Sequence, residues 1–551
     1  MGVKQLHFSI ALTVLAGVVL LGADDKKTTR PAPPPKKAAV TRAPATGSGP
    51  PVRSTGGTST VQPSGRGVYS PNGTSPSTGG GTGTPASTTK TSPYDRSTGQ
   101  SSGRRVYNPT IATPPGNGGT GSSTGRMPPA GRPNAGTGMP QIYHAPVGVT
   151  RGPQGKIATY RAANGNEAHF APNGSVRSVS TRGMTIVHAP GAGRTVVMDR
   201  PDHTRIYTDA AGHGYVQRPF NYHGHEYAQR TYYVNNTRYV TYYRSYTYNN
   251  VYLVGYAPAH YYSPMFYGWA YHPWARPVVY VNWGWGGSPW YGYYGWYFTP
   301  YRTYPSAAFW LTDFVIAASL QAAYQQQVDA QQAAYQQQGP PPPAYGQGGQ
   351  VALTPEVKQA IADEVQRQLA LENSEGQQVG RNQEPDPASS GLPRMLGDGE
   401  AHVFIVANPL DVTDAMGQSC VVTQGDVLQM QTPPPQTAEA GFLNVLASKG
   451  GQDCATGDVV TVAFSDLQEM QNQMRAGIDG GLQQMQAQAG QNGLPPTPPG
   501  AGAPPVQSAF APIAPPPDPN VANELNQQAL AANQAENQVL SEAGNGSGGG
   551  Q

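Results

Sequence analysis

Short runs of alternating apolar and polar residues dominate the chain between 141 and about 220. Two of them are Lys156–Arg161 and Met184–His188, and turn-forming pairs such as Asn164-Gly165 and Asn173-Gly174 lie between the runs. Because successive side chains of a strand point to opposite faces, this alternation predicts strands with one buried face. Turn signals after each short run predict that the strands form an antiparallel meander.

The pattern changes to a helical period after Pro305. Apolar residues then recur three or four positions apart, at Ala307, Trp310, Leu311, Phe314, Val315, Ala318 and Ala322. This spacing predicts an amphipathic helix that Ser306 caps. Its most apolar part, 307–320, is too short and too polar to cross a bilayer, so we expect the stripe to pack on neighbouring residues. Contact with a membrane surface through 307–320 is the alternative.

Five strand-like runs lie between His402 and Phe464. A helix is predicted to follow them as far as about 487, because Ser465 and Gln468 have the spacing of a capping box. The alternation within these runs indicates a second, smaller β structure.

An aromatic segment joins the meander to the first helix. It contains 24 of the 32 tyrosines, between Tyr207 and Tyr304, and six of the seven tryptophans. Tyr and Trp combine a large apolar face with one polar group, so such a segment can be buried or can bind planar and sugar-like ligands. Packing inside the protein or against a partner is the preferred interpretation, and glycan binding is the alternative. The tryptophans that would form a binding platform are Trp269, Trp274, Trp283, Trp285, Trp290 and Trp296.

Histidines and cysteines supply the other candidate sites. His213, His223 and His225 form the tightest group of histidines, so a zinc or copper site is one hypothesis, and histidines at turn tips without a metal are the alternative. Cys420 and Cys454 are the two cysteines of the chain and are predicted to form a disulfide. No hydrolase motif is recognised in the sequence, so no catalytic residue and no cofactor is predicted.

Composition separates the start of the chain from the rest. An apolar run from Phe8 to Leu21 ends at small residues, which is typical of a signal peptide over 1–23, with an uncleaved anchor as the alternative. Residues 24–140 are rich in Pro, Gly, Ser and Thr and carry 14 Lys or Arg against 3 acidic residues, which predicts a disordered basic segment. Residues 351–551 carry 6 basic against 22 acidic residues. For an exported chain, a cell-wall polymer or an envelope protein is a more suitable partner than nucleic acid.

These patterns predict a mainly β protein with a few helices and large disordered regions. The predicted order of parts is a signal peptide at 1–23, a disordered basic segment at 24–140, a β-meander with its aromatic layer and amphipathic helix at 141–338, a Pro/Gly linker at 339–353, an amphipathic helix at 354–372, a linker at 373–399, a small β-barrel with a C-terminal helix at 400–487 and a disordered tail at 488–551. A weak helix at 521–542 is the exception to disorder in the tail.

Two resemblances extend this picture. The turn at Gly425-Asp426 and the alternating strand after it resemble those of SH3-like barrels, which implies a small closed barrel. The order of parts, with the sequence Tyr304–Asp313 at the start of the helix, resembles a group of uncharacterised exported bacterial proteins rich in Tyr, Trp and Gly. That resemblance implies a location in the periplasm, the cell envelope or the extracellular space, and it implies no activity.

The expected function is therefore non-enzymatic. We expect an exported structural or interaction protein of the envelope or extracellular space, in which the aromatic-rich surface serves assembly or adhesion, including assembly of an oligomer. A carbohydrate- or peptidoglycan-binding module is the alternative. An envelope hydrolase is the least favoured interpretation, because carboxylates are scarce where the aromatic residues are dense.

Overall fold

Eleven antiparallel strands form one long sheet in which each strand pairs with the next along the chain. The strands are β1 (Gly148–Arg151), β2 (Ile157–Arg161), β3 (Glu167–Phe170), β4 (Val176–Thr181), β5 (Met184–Ala189), β6 (Gly193–Asp199), β7 (Arg205–Thr208), β8 (Gly214–Tyr222), β9 (His225–Val234), β10 (Thr237–Tyr248) and β11 (Val251–Tyr256). The predicted antiparallel meander is confirmed. The meander continues into the tyrosine-rich segment as β8 to β11, where successive side chains again point to opposite faces of the sheet.

The computed structural model covers the meander and most of the chain that follows it. It describes residues 147–152, 155–189, 193–234, 236–280, 283–338, 351–430, 432–449 and 454–546. The predicted signal peptide at 1–23, the basic segment at 24–140 and most of the linker at 339–353 lie outside the described residues.

One face of the long sheet is apolar and is covered by the helix α8 (Val521–Gly546). The cluster between them contains Tyr160, Ala168, Val179, Met184, Ile186 and Val196 of the sheet and Ala532, Val539 and Ala543 of α8. The buried Gln528 donates from Nε2 to the carbonyl oxygen of Ile206 at 2.9 Å and so fastens the helix to the sheet.

The prediction of a disordered tail is therefore wrong for residues 488–520, whereas the weak helix predicted at 521–542 is present and extends to Gly546 as α8. Within this part, β19 (Val506–Gln507) pairs with β12 (His260–Tyr261) before α8 begins. The composition gave little sign of this order, because α8 combines a few larger buried residues, such as Leu525 and Val539, with alanines whose small side chains produce a weak apolar pattern.

The aromatic segment forms the interior of the protein around a long helix. Its helices are α1 (Pro264–Tyr271), α2 (Pro289–Tyr294) and α3 (Ala307–Gln338), with a 3-10 turn at Trp285–Gly287. Trp310, Leu311 and Leu320 of α3 are fully buried among tyrosine and tryptophan rings. The apolar stripe of the predicted helix thus packs on the aromatic layer, as its spacing suggested.

Helix α3 is also the element that could cross a membrane by length and composition. Among the described residues one segment, Ala307–Gln332, meets that test, and 67% of its most apolar window is buried inside the protein. A buried core helix meets the same test, and the residues of 307–320 that were considered for membrane contact lie mostly in the interior.

A buried ion pair connects α3 to the helix α4 (Pro355–Val379). Lys358 Nζ lies 2.7 Å from Asp313 Oδ1, and both side chains are almost completely buried. The hydroxyl group of Tyr304 and the backbone N–H of Tyr301 donate to the other carboxylate oxygen. At the start of α4 the side chain of Thr354 caps the helix by accepting from the backbone N–H of Val357.

The predicted linker at 373–399 is largely helical. Helix α4 continues to Val379, and the short helices α5 (Pro387–Ser390) and α6 (Leu392–Gly397) follow. Leu392, Met395 and Leu396 are buried against the strands beyond them, so tertiary packing orders a stretch whose polar and Gly/Pro residues had indicated a linker.

The C-terminal strands form a second, six-stranded sheet. They are β13 (Val403–Ile405), β14 (Leu410–Asp414), β15 (Ser419–Val422), β16 (Val427–Met430), β17 (Ala440–Ala447) and β18 (Val459–Ala463). The strands are arranged in the order β13, β16, β17, β18, β14 and β15, and no sheet in the described part of the chain is closed. An SH3-like barrel is therefore not shown. Cys420 and Cys454 form the predicted disulfide, with their Cα atoms 5.2 Å apart.

Helix α7 (Phe464–Gln488) follows β18 directly. The predicted capping box is wrong, because Ala463 occupies the cap position and Ser465 already lies inside the helix. Gln468 is instead buried, where its side chain accepts from the backbone N–H of Leu392. A tertiary contact between α6 and α7 thus replaces the expected local one.

A cluster of acidic and basic residues is buried between α4 and α7. Arg475 Nη2 donates to Glu375 Oε2 at 2.6 Å, and Arg475 Nε lies 3.8 Å from Glu372 Oε1. Burial raises the pKa of Glu372 to about 8, because the opposing effect of Arg475 is smaller and Asp479 and Glu375 add negative charge. Glu372 therefore keeps its proton at neutral pH.

Replacing Trp290 should test whether the aromatic layer is internal. Trp290 is 7% exposed and packs edge-on against Trp285. We expect Trp290→Ala to lower the free energy of unfolding by about 3–5 kcal/mol, as large-to-small core substitutions do. Urea denaturation measures this, with Tyr293→Ala as the control because Tyr293 is 42% exposed. Equal losses in the two variants would contradict the burial of Trp290.

The raised pKa of Glu372 predicts a pH-dependent stability. The folded state holds a proton that the unfolded state releases above about pH 4.5, so this contribution is complete below 4.5 and is lost as pH rises through about 8. The slope from one group is at most about 1.4 kcal/mol per pH unit. Glu372→Gln should remove it, as seen in urea denaturation from pH 5 to 9. Glu356→Gln, at an exposed position of the same helix, should retain the wild-type slope.

Candidate functional site

A polar cleft lies between the long sheet and the C-terminal part of the chain. Its cavity has a volume of about 260 Å³, and a neighbouring cavity of about 220 Å³ shares four residues with it. The shared residues are Asp199, Arg205, Ser465 and Glu469. Ligand pockets have volumes of about 300–1,000 Å³, so each of these cavities suits a small ligand or part of a larger one.

The floor of the cleft is the polar face of the long sheet. Strands β3 to β7 place His169 opposite Ser178, Ser180 opposite Thr185, and Asp199 opposite Arg205. Since these residues alternate with the apolar residues that face α8, the same alternation that builds the core also places hydroxyl and charged groups in the cleft. Thr185 is exposed on this floor.

One wall is formed by residues 407–411, which lead into β14. Asp411 Oδ2 accepts from Ser178 Oγ and contacts His169 Nδ1, both at 2.5 Å. Burial alone would lower the pKa of His169, but hydrogen bonds to Asp411 and Glu167 outweigh it and raise the pKa to about 9. His169 is therefore charged at neutral pH. Asp411 Oδ1 is buried and has no hydrogen-bond partner among the described residues.

The other wall is the first turns of α7. Burial raises the pKa of Asp466 to about 6, an effect that Arg205 opposes and that Asp199 and Glu469 reinforce. Arg205 Nε lies 3.6 Å from Asp199 Oδ1 and makes no hydrogen bond within the described part of the chain. The charged groups around the cleft are thus partnered mainly with one another, as Arg205 is with Asp199 and His169 with Asp411.

Glu469 is held in place by a fully buried arginine. Arg230 donates from Nη1 and Nη2 to the two carboxylate oxygens of Glu469, at 2.7 Å each. The guanidinium group also lies between the rings of Tyr215 and Tyr243, with its carbon 4.4 and 4.0 Å from their centroids. This pair attaches α7 to the long sheet and so sets the width of the cleft.

Ser178, His169 and Asp411 do not have the geometry of a catalytic triad. In a triad the imidazole lies between the hydroxyl group and the carboxylate and can take the hydroxyl proton. Here the carboxylate of Asp411 lies between the other two groups. The cluster can bind and orient a polar ligand, but it does not activate Ser178 as a nucleophile.

The six tryptophans that sequence suggested as a binding platform belong to the interior. Trp274, Trp285 and Trp290 are at most 9% exposed, and Trp269, Trp283 and Trp296 are partly buried against the same core. Their neighbours are other aromatic rings of the segment. The stacked rings of Trp283 and Trp285, for example, have centroids 4.1 Å apart.

The three histidines suggested as metal ligands are not brought together. His223 and His225 are exposed and lie 2.9 and 4.0 Å from the carboxylate of Glu384. His213 instead lies near two aspartates, Asp209 and Asp329. The structure therefore divides the predicted group into two separate clusters.

Sequence reasoning missed the residues of the cleft. His169 and Asp411 are 242 positions apart, and no local pattern connects them. One signal was present, namely polar side chains at alternate positions of β3 and β4 that include a histidine and a glutamate. On a sheet with one solvated face that pattern is ordinary, so it does not by itself indicate a site.

No protein-family model, curated protein or solved structure matches the chain. The resemblance to exported bacterial Tyr/Trp/Gly-rich proteins therefore stays a prediction, and the function has to be argued from the residues of the cleft.

Breaking the pair between Arg230 and Glu469 should destabilise the protein strongly. Arg230→Met leaves the carboxylate of Glu469 buried and unpaired, so we expect a loss of about 3–5 kcal/mol in the free energy of unfolding. The double variant with Glu469→Leu should recover part of this loss. Arg218→Met is the control, because Arg218 is 43% exposed and its ion pairs should contribute less than about 1 kcal/mol. Similar losses for Arg230→Met and Arg218→Met in urea denaturation would contradict this account.

Proposed function

We propose that this chain is an exported, non-enzymatic binding protein of the cell envelope, and that the polar cleft takes a hydroxyl-rich segment of a cell-wall glycan. The observation that carries the proposal is the set of hydroxyl and charged side chains that line the cleft, among them Ser180, Thr185 and Asp411. Hydroxyl and carboxylate groups that line a cavity can exchange hydrogen bonds with a polar ligand.

The chemistry of the lining suits a sugar. Sugar hydroxyl groups both donate and accept, so they can donate to the carboxylates of the lining and exchange hydrogen bonds with its hydroxyl groups. Ser180 and Thr185 add hydroxyl groups on the floor, and Tyr207 adds an aromatic ring at its edge. In ligand sites such polar groups fix the orientation of the ligand, and aromatic surface supplies contact area.

The charge of the cleft argues against anionic partners. Glu167, Asp199, Asp411, Asp466 and Glu469 all line it. The cations of the lining are Arg205 and His169, and Arg230 lies behind Glu469. Because carboxylates outnumber these cations, a nucleic acid or a polyphosphate would be repelled.

The proposed export to the envelope is supported by the N-terminal apolar run and by the disulfide. The apolar run from Phe8 to Leu21 is typical of a signal peptide, and a disulfide between Cys420 and Cys454 is compatible with an oxidising compartment. The basic segment at 24–140 would then attract anionic wall polymers and bring the folded part close to the glycan.

The aromatic segment has a different part in this proposal. Assembly or adhesion through an aromatic surface was the first expectation from sequence, but most of the large rings of this segment are buried. We therefore assign them to the stability of the folded part, and we assign ligand binding to the cleft.

Blocking the floor of the cleft should test the proposal. Thr185 is exposed there, so Thr185→Trp should fill the cleft without removing a core contact. We expect the wild-type protein to sediment with purified peptidoglycan and to bind its soluble disaccharide fragments in calorimetric titrations. Thr185→Trp should weaken both by at least about tenfold.

Thr185→Ala is the matched control, since it changes the same position without filling the cleft. It should bind the glycan nearly as well as the wild type, and both variants should keep the wild-type melting temperature. Equal binding by Thr185→Trp and Thr185→Ala would place the ligand elsewhere. No binding by the wild-type protein would overturn the proposed function.

A further inference from the structure

Three side chains with metal-binding atoms converge where α3 meets the turn between β7 and β8. They are Asp209 and His213 of the turn and Asp329 of the helix, and one ligand atom of each lies within 4.8 Å of the other two. His213 Nδ1 lies 3.5 Å from Asp209 Oδ2 and 3.6 Å from Asp329 Oδ2. All three are partly buried.

The turn fixes the orientation of Asp209. Its Oδ1 atom accepts from the backbone N–H groups of Ala211 and His213, at 2.9 Å each. This arrangement holds the carboxylate in one rotamer and leaves Oδ2 facing His213. The hydrogen bonds therefore act as outer contacts that orient a ligand, as is usual around metal sites.

A hydrogen bond within α3 orients Asp329. Its Oδ1 atom accepts from Gln325 Nε2 at 2.8 Å. Its Oδ2 atom is buried and has no hydrogen-bond partner among the described residues, although it points towards His213 and Asp209. A buried carboxylate oxygen without a hydrogen bond is costly unless a cation or a donor balances it.

Close packing keeps the helix and the turn together. Gly193, at the start of β6, has a φ of +75°, and a Cβ atom there would lie 2.6 Å from Cβ of Ala330 and 3.1 Å from Cβ of Ala210. Ala330 and Ala210, which follow Asp329 and Asp209 in the chain, therefore both pack against Gly193. This contact positions the two carboxylates independently of any bond between them.

Charge also favours a cation at this position. Two carboxylates face each other across the imidazole, and no lysine or arginine of the described chain forms an ion pair with either. A divalent ion would balance the two negative charges. An imidazole ligand suits transition metals, whereas Ca²⁺ and Mg²⁺ prefer oxygen ligands throughout.

We propose that Asp209, His213 and Asp329 bind one divalent transition-metal ion, with Zn²⁺ as the probe. Asp209 Oδ2, Asp329 Oδ2 and His213 Nδ1 are the three protein ligands, and water completes the coordination. The ion would fasten the C-terminal half of α3 to the turn between β7 and β8. This site is separate from the glycan cleft and does not depend on the function proposed for it.

Calorimetric titration of the metal-free full chain with ZnCl₂ tests the proposal. We expect one equivalent of Zn²⁺ to bind and to raise the melting temperature, because the ion binds the folded state. Asp209→Asn keeps the oxygen that accepts from the turn, and Asp329→Asn keeps the oxygen that accepts from Gln325. Each variant loses a charged ligand, so each should weaken Zn²⁺ binding by at least about tenfold and reduce the shift in melting temperature.

Glu384→Gln is the matched control, because Glu384 lies with His223 and His225 in the other histidine cluster. It should bind Zn²⁺ as the wild type does. If Glu384→Gln loses Zn²⁺ while Asp209→Asn and Asp329→Asn retain it, the metal sits on the exposed histidines and the proposal is wrong. If the wild-type chain takes up no Zn²⁺, a protonated His213 bridges the two carboxylates instead, and the proposal is also overturned.

Discussion

The buried pair between Arg230 and Glu469 determines how the main parts of this protein meet. Arg230 belongs to the long sheet and is fully buried, so it requires a carboxylate from an element packed on that face. Helix α7 supplies it and also carries Arg475, whose guanidinium group pairs with Glu375 of α4. Since α7 directly follows β18 of the second sheet, one helix connects both sheets and α4, and its first turns form a wall of the cleft.

The composition of the aromatic segment determines how it packs. Frequent glycines and prolines prevent long strands after Tyr261, so large rings instead fill the space around α3. Many of the tyrosine hydroxyl groups find carboxylates inside the protein, as Tyr304 does with Asp313 and Tyr256 with Asp479. Buried hydroxyl groups need such partners, and this need explains why an aromatic core contains so many charged residues.

Both candidate sites combine residues that are distant in sequence. In the cleft, Asp411 meets His169 because β14 of the second sheet packs beside the early strands of the long sheet. In the second cluster, Asp329 meets His213 because α3 packs against Gly193, at the start of β6, and against the turn between β7 and β8. The histidine spacing did indicate His213, but His223 and His225 lie beyond the next strand, where they face Glu384.

The sequence by itself determined what depends on neighbours along the chain. Alternation predicted the antiparallel meander, the spacing of apolar residues after Pro305 predicted α3, and the two cysteines predicted their bond. Only the tertiary structure decided that the tryptophans lie inside, that α8 covers the sheet, and that the second sheet stays open. The reason is physical, because strand and helix periods are local properties, whereas burial depends on which distant surface covers a residue. An alanine-rich helix such as α8 has a weak pattern of its own and becomes ordered through its fit against the sheet.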